Sequence, residues 1–162
     1  MEQGFIAMGT SMATYSAQNL GAGRPDRIRK GVHAADIQVI VIAAVIGSAM
    51  AVSGKYLAAF FVTENITQIM AAVDVFMKII GATIVLLGFL LIYRNTVQGI
   101  GYGWISVFGG IIELLSRSAV AAIAAKTSSF AVICLGYPVS WITATVFFVI
   151  VYCYGMRKLE RK

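Results

Sequence analysis

Charged side chains are scarce in this chain, and their scarcity excludes most kinds of soluble protein. Only 12% of the 162 residues are charged, 59% are hydrophobic, and the mean hydropathy is +0.85. Soluble domains usually carry about 25% charged residues. A soluble fold of this length could not bury so much apolar surface, so the composition indicates an integral membrane protein.

Residue types that perform chemistry are also few. The chain has one histidine, two cysteines and seven acidic residues. Cys134 and Cys153 lie in one apolar run, and a helix would separate them by about 28 Å at 1.5 Å per residue, beyond the reach of a disulfide. We therefore expect no enzyme, no catalytic residues, no metal site and no cofactor.

Long uncharged runs dominate what is present. They cover residues 37–54, 95–112 and 127–156, and a fourth apolar segment at 71–94 is interrupted by Asp74 and Lys78. About 20 apolar residues cross the hydrocarbon core, and backbone groups in lipid must bond within their own segment. The sequence therefore predicts an all-α polytopic membrane protein with a single membrane domain over residues 1–162.

The pattern predicts four full transmembrane helices and one partial N-terminal helix. Their expected ranges are about 4–20 for the partial helix, then 25–53, 65–94, 104–125 and 130–154. Because the first apolar stretch is too short for an ordinary span, we expect the chain to be the C-terminal part of a larger protein. Pro138 removes the hydrogen bond to the carbonyl of Cys134, which predicts a kink in the last helix.

Basic residues lie mainly on one side of the predicted bundle. That side carries Arg24, Arg27, Arg29, Lys30, Arg94, Arg157, Lys158, Arg161 and Lys162, and the other side carries Lys55 and Lys126. Cytoplasmic loops of membrane proteins have this excess of Lys and Arg. We therefore expect the protein to lie in the plasma (inner) membrane with its C-terminus in the cytoplasm. The basic residues cluster at helix ends rather than over one folded face, so no nucleic-acid partner is expected.

Glu113 and Arg117 are the strongest candidate site. They lie at positions i and i+4 of a helix that is otherwise uncharged from 104 to 125, so they can pair within the membrane. Such a pair could belong to an ion or substrate pathway. It could equally neutralise itself and hold helices together.

Three further residues are weaker candidates. Asp74 and Lys78 repeat the spacing near the outer end of their helix, where snorkelling to the interface is the simpler explanation. Gln38 is a polar residue inside a span and could line a pathway. His33 and Asp36 could pair at i and i+3, which we interpret as an interfacial structural contact.

Four segments together resemble the C-terminal half of multidrug and toxic compound extrusion (MATE) transporters. They are SAQNLGAGRPDRIRKG at 16–31, FMKIIG at 76–81, YRNTVQGIG at 93–101 and GIIELLSR at 110–117. The resemblance implies twelve helices in two lobes, of which this chain would supply the end of the eighth and helices nine to twelve. It also implies export of small organic cations, driven by an inward proton or sodium gradient.

The resemblance implies partners as well. Beyond the lipid bilayer, the chain would need the missing N-terminal lobe of the same transporter, because such transporters rock one repeat against another. We therefore expect that the chain cannot transport alone. The alternative is a self-sufficient small membrane protein that acts as an oligomeric exporter or as a non-transporting scaffold.

One departure from the family concerns the coupling ion. Several members use an acidic residue in the tenth helix, whereas residues 79–93 contain none and Leu87 lies at roughly that level. Glu113 then becomes the candidate carboxylate for coupling. Arg117 would keep that carboxylate ionised.

Overall fold

A computed structural model describes residues 2–59 and 66–161 of the chain. This part is almost entirely helical and contains no strand. Its elements, in chain order, are α1 Gln3–Gly21, α2 Pro25–Ala59, α3 Ile66–Val97, a π-helical turn Gln98–Tyr102, α4 Ile105–Thr127, α5 Phe130–Cys134 and α6 Gly136–Glu160.

Four helical segments are long and apolar enough to cross a membrane. They are Pro25–Val52, Ile69–Tyr102, Ile105–Thr127 and Phe130–Glu160. Within the described ranges α1 is not one of the four. The prediction of an all-α polytopic membrane protein is therefore confirmed.

The helices differ from the predicted ranges mainly at their ends. Helix α2 continues to Ala59, six residues past its expected end at 53, and helical structure after Val97 passes directly into the π-helical turn. The predicted start of the next helix at Asn65 lies outside the described residues, as do Lys162 and the side chain of Lys55. A helix that ends within lipid leaves backbone N–H and C=O groups without hydrogen-bond partners, so a longer helix is favoured there.

Helix α3 lies at the centre of the bundle and packs against α1, α2 and α6. Its closest contact is with α2, where a side chain on Gly47 would overlap the carbonyl of Gly81. Small residues at such a crossing let two helix backbones approach closely. The buried residues of this core include Phe5, Val39 and Leu90.

The chain leaves α3 through the π-helical turn and enters α4. Gly101 has φ +94°, a backbone conformation that side-chain-bearing residues rarely adopt. This turn redirects the chain so that α4 packs mainly against α6. The turn also sets the position of the start of α4 along the length of α3.

The final transmembrane segment is broken near its start. Helix α5 ends at Cys134 and α6 begins at Gly136, with Leu135 between them. Pro138 has no N–H to donate to the carbonyl of Cys134, which explains the interruption. The predicted kink is therefore found three residues before the proline.

Candidate functional site

Glu113 lies between two arginines that come from different helices. Its Oε2 is 3.5 Å from Nη2 of Arg117, and its Oε1 is 3.7 Å from Nη1 of Arg94. The carboxylate side chain is only 17% exposed, whereas both arginine side chains are more open. The expected Glu113–Arg117 pair is present, and it forms part of a three-residue cluster that joins α3 to α4.

Arg117 also contacts the first turns of α6. Its Nε donates a hydrogen bond of 3.1 Å to Oγ of Ser140, and its guanidinium lies 4.8 Å from the ring centre of Tyr137. Ser140 is fully buried and donates to the carbonyl of Tyr137. A neighbouring hydroxyl pair, Ser116 and Thr143, adds a 2.8 Å bond between α4 and α6. Arg117 is therefore oriented by α6 as well as by Glu113.

The position of Glu113 along α4 sets its depth. It lies eight residues after Ile105, the first residue of α4, which is about 12 Å of helix at 1.5 Å per residue. Glu113 therefore lies about two turns inside the first residue of this spanning helix. Arg94 reaches the same level from the last turn of α3.

Sequence reasoning missed one member of this cluster, Arg94, and two residues that contact it, Tyr137 and Ser140. Arg94 was interpreted as a residue of the loop that orients the protein, and Tyr137 and Ser140 were not connected to Arg117. All three reach the site from other helices. Helical spacing predicts neighbours on the same helix only, so no signal in one sequence would have found them.

A second polar contact joins α2 to α3. The hydroxyl of Tyr93 donates a 3.0 Å hydrogen bond to Oδ2 of Asp36, and the ring of Tyr152 packs edge-on against Tyr93 at 5.4 Å. A cleft of about 400 Å³ opens beside them, with His33 and Thr145 in its walls. The hydrogen-bond partner of Asp36 is therefore Tyr93 on another helix, and the expected interaction with His33 is present only as a charge interaction.

The weaker candidates lie apart from Glu113. Lys78 donates to Asp74 within α3, so the expected pair forms, with Lys78 well exposed. Gln38 lines a groove between α1 and α2. Neither location contacts the Arg94–Glu113–Arg117 cluster.

The basic cluster at the start of α2 divides into paired and unpaired residues. Arg24 donates two hydrogen bonds to Asp26, and Arg29 forms a 2.7 Å ion pair with Glu160 at the end of α6. In residues 2–59 and 66–161, Arg27 and Lys30 have no such carboxylate partner. The basic ends of α2 and α6 therefore lie together on one end of the bundle.

The chemistry of the Arg94–Glu113–Arg117 cluster is electrostatic. Two guanidinium groups and one carboxylate give it a formal charge of +1. In the part of the chain that the structure describes, no group of three metal-binding side chains comes together. The cluster can hold α3 and α4 in register.

Comparison with known proteins identifies the family. No curated protein and no solved structure matches the chain. A family model does match: the MatE model covers residues 4–117, more than two thirds of the chain, and includes all four of the motifs quoted above. The chain therefore belongs to the MatE family of multidrug and toxic compound extrusion transporters.

Proposed function

We propose that the chain forms part of the C-terminal lobe of a secondary active exporter of small organic cations. Membership of the MatE family supports a transporter rather than an enzyme. The observation that carries the finer proposal is the Arg94–Glu113–Arg117 cluster. Ionisable groups within a membrane are costly and are usually retained for a function.

Glu113 is the proposed point of ion coupling, with a proton or a sodium ion as the driving ion. An incoming cation would compete with the two arginines for the carboxylate. Arg94 makes the longer of the two contacts and, among the described residues, has no second anchor such as the one Ser140 provides for Arg117. Binding of the ion would then release Arg94 and weaken the link between α3 and α4.

The proposal includes a partner and an orientation. Transport by alternating access needs a second repeat that rocks against the first. The partner is the N-terminal lobe of the same transporter, and the chain alone is not competent for transport. The basic end of the bundle, with Arg27, Lys30 and the C-terminal residues, faces the cytoplasm in the plasma membrane, as the positive-inside rule favours.

Efflux of a cationic dye from cells that express the full-length transporter tests the role of Glu113. We expect Glu113→Gln to abolish efflux while the amount of protein in the membrane stays unchanged. Asp74→Asn is the matched control, because it makes the same acid-to-amide change in a pair that lies outside the cluster. If the Glu113→Gln variant still exports the dye, the cluster has a role in helix packing and not in ion coupling.

The need for a second lobe is tested separately. The DNA before the codon for Met1 should continue in frame for about 280 residues that encode seven to eight further helices, the size that the resemblance to MATE transporters implies. An upstream stop codon, together with dye efflux by the 162-residue chain alone, would instead support a small exporter that assembles from copies of itself.

A further inference from the structure

A long groove runs between α1 and α2 and has two compartments. The lower compartment has a volume of about 660 Å³ and is lined by Ala7, Met8, Ser11, Met12, Tyr15, Lys30, Gly31, Ala34, Ala35 and Gln38. The upper compartment measures about 480 Å³ and is lined by Tyr15, Gln18, Asn19, Ala22, Arg27 and Lys30. Tyr15 and Lys30 line both, so the two compartments adjoin at these side chains.

The upper compartment carries unbalanced positive charge. Arg27 and Lys30 line it; within the described ranges neither forms an ion pair at contact distance, although the charge of Lys30 acts on Asp26. The nearest acidic residue in sequence, Asp26, is engaged by the guanidinium of Arg24. The Gln18 amide adds a hydrogen-bonding group to the same walls, whereas the Asn19 amide nitrogen donates to the carbonyl of Tyr15. This compartment is suited to a phosphate group.

The lower compartment is mostly apolar and is held open by Tyr15. The Tyr15 hydroxyl donates a 3.1 Å hydrogen bond to the carbonyl of Arg27, so the side chain bridges the two helices. Its ring lies directly against Gly31, where any added side chain would overlap it. Below the ring, most of the walls are alanine and methionine side chains, with Ser11 and Gln38 among them. This compartment is suited to a hydrocarbon chain.

The length of the groove matches one leaflet of a bilayer. From Ala22 to Ala7 the groove follows α1 for about 22 Å at 1.5 Å per residue. Half of a hydrocarbon core of about 30 Å, together with part of the headgroup region, has a similar depth. The charged compartment lies at the end of the bundle and the apolar compartment lies toward its middle, which is the order of groups in a phospholipid.

We propose that this groove binds an anionic phospholipid, with the phosphate at Arg27 and Lys30 and one acyl chain along the lower compartment. The proposal rests on the membrane location of the chain but not on its transport activity. Basic residues beside a membrane attract anionic lipids. A neutral surface groove would not discriminate between headgroups, whereas this one selects negative charge.

Lipid binding to the purified chain in detergent tests the proposal. The probes are fluorescent phosphatidylglycerol and phosphatidylcholine with identical acyl chains. We expect the double variant Arg27→Gln, Lys30→Gln to weaken phosphatidylglycerol binding roughly thirtyfold, because each basic group near an anionic surface contributes about a factor of five. The matched control, Arg157→Gln with Lys158→Gln, removes the same charge from the exposed end of α6 and should leave binding unchanged.

A second arm tests the apolar compartment without altering charge. Ala34→Phe fills the lower groove from α2 and should weaken binding of the labelled lipid, while excess inorganic phosphate should fail to displace it. Equal losses in the two charge variants would reduce the effect to general surface charge and overturn the proposal. Equal affinity for phosphatidylcholine would also overturn it. Cross-linking of Ala34→Cys between two copies would overturn it as well, because the groove would then be occupied by a helix of a second copy.

Discussion

The contact between α2 and α3 and the contact between α4 and α6 are built in different ways. At the first, Gly47 and Gly81 bring two backbones together, and Val39 packs where Gly88 leaves room. At the second, hydroxyl and guanidinium groups connect the helices, through the Ser116–Thr143 bond and through the bond from Arg117 to Ser140. The α2–α3 contact depends on close packing, whereas the α4–α6 contact adds polar bonds to a smaller packed surface.

The difference follows from the solvent. Lipid tails are as apolar as leucine, so helices in a membrane associate through close packing and polar bonds rather than through the hydrophobic effect. In the apolar 18-residue stretch of each span, 11% of the residues are buried in α4 and 39% in α3. Helix α4 therefore has a small packed surface, with Gly109 against Phe148, and polar contacts add to it. Such a helix is better placed than α3 to shift when those contacts change.

The largest expected effect of a single methyl group is at the α2–α3 crossing. Gly47→Ala forces a side chain into the backbone carbonyl of Gly81, which cannot rotate away. We expect a loss of about 1–3 kcal/mol in the free energy of unfolding, the usual cost of overpacking. Thermal unfolding in detergent measures it.

Gly110→Ala is the matched control for this substitution, because a side chain at Gly110 on α4 meets no atom within 4 Å. That variant should be neutral or slightly stabilising, since alanine is the better helix former. If the two variants unfold at the same temperature, close packing does not distinguish the α2–α3 contact.

A smaller effect is expected where α4 depends on charge. Glu113→Gln removes the shared partner of Arg94 and Arg117. We expect a loss of roughly 1 kcal/mol, within the range that polar contacts between membrane helices reach. Unfolding of Glu113→Gln, Arg117→Gln and the double variant gives the coupling energy of the pair. A coupling of zero would mean that the remaining contacts hold α4 without the ion pair.

Much of the fold could be predicted from local features of the sequence. The absence of charge over long runs identified the spanning helices, and Pro138 located the break in the last one. The Glu113–Arg117 and Asp74–Lys78 pairs followed from i, i+4 spacing. In each case the responsible residues lie on one helix, where geometry is fixed by the helix itself.

Contacts between helices could not be predicted in this way. Asp36 was expected to pair with His33 on its own helix, yet its hydrogen bond comes from Tyr93 on α3. Arg94 was interpreted as a basic residue that orients the protein in the membrane, yet it contacts Glu113 on α4. Both contacts depend on how two helices cross, and the crossing is set by close approaches such as Gly47 to Gly81. A single sequence specifies the helices more directly than their mutual rotation.

The smallest expected effect is at Asp74 and Lys78, whose pairing resembles that of Glu113 and Arg117 in sequence but not in surroundings. The Asp74 side chain is 34% exposed and that of Lys78 is 61% exposed, and the pair lies within one helix. Exposed pairs of this kind contribute about 0.3–0.5 kcal/mol and are weakened by salt. Asp74→Asn should therefore lower the unfolding temperature only slightly at low salt and by a smaller amount at high salt. A loss as large as that of Glu113→Gln, and independent of salt, would mean that the Asp74 carboxylate has a partner beyond its own helix. The distinction between an ion pair that links two helices, at Glu113, and an ion pair within one helix, at Asp74, would then not hold.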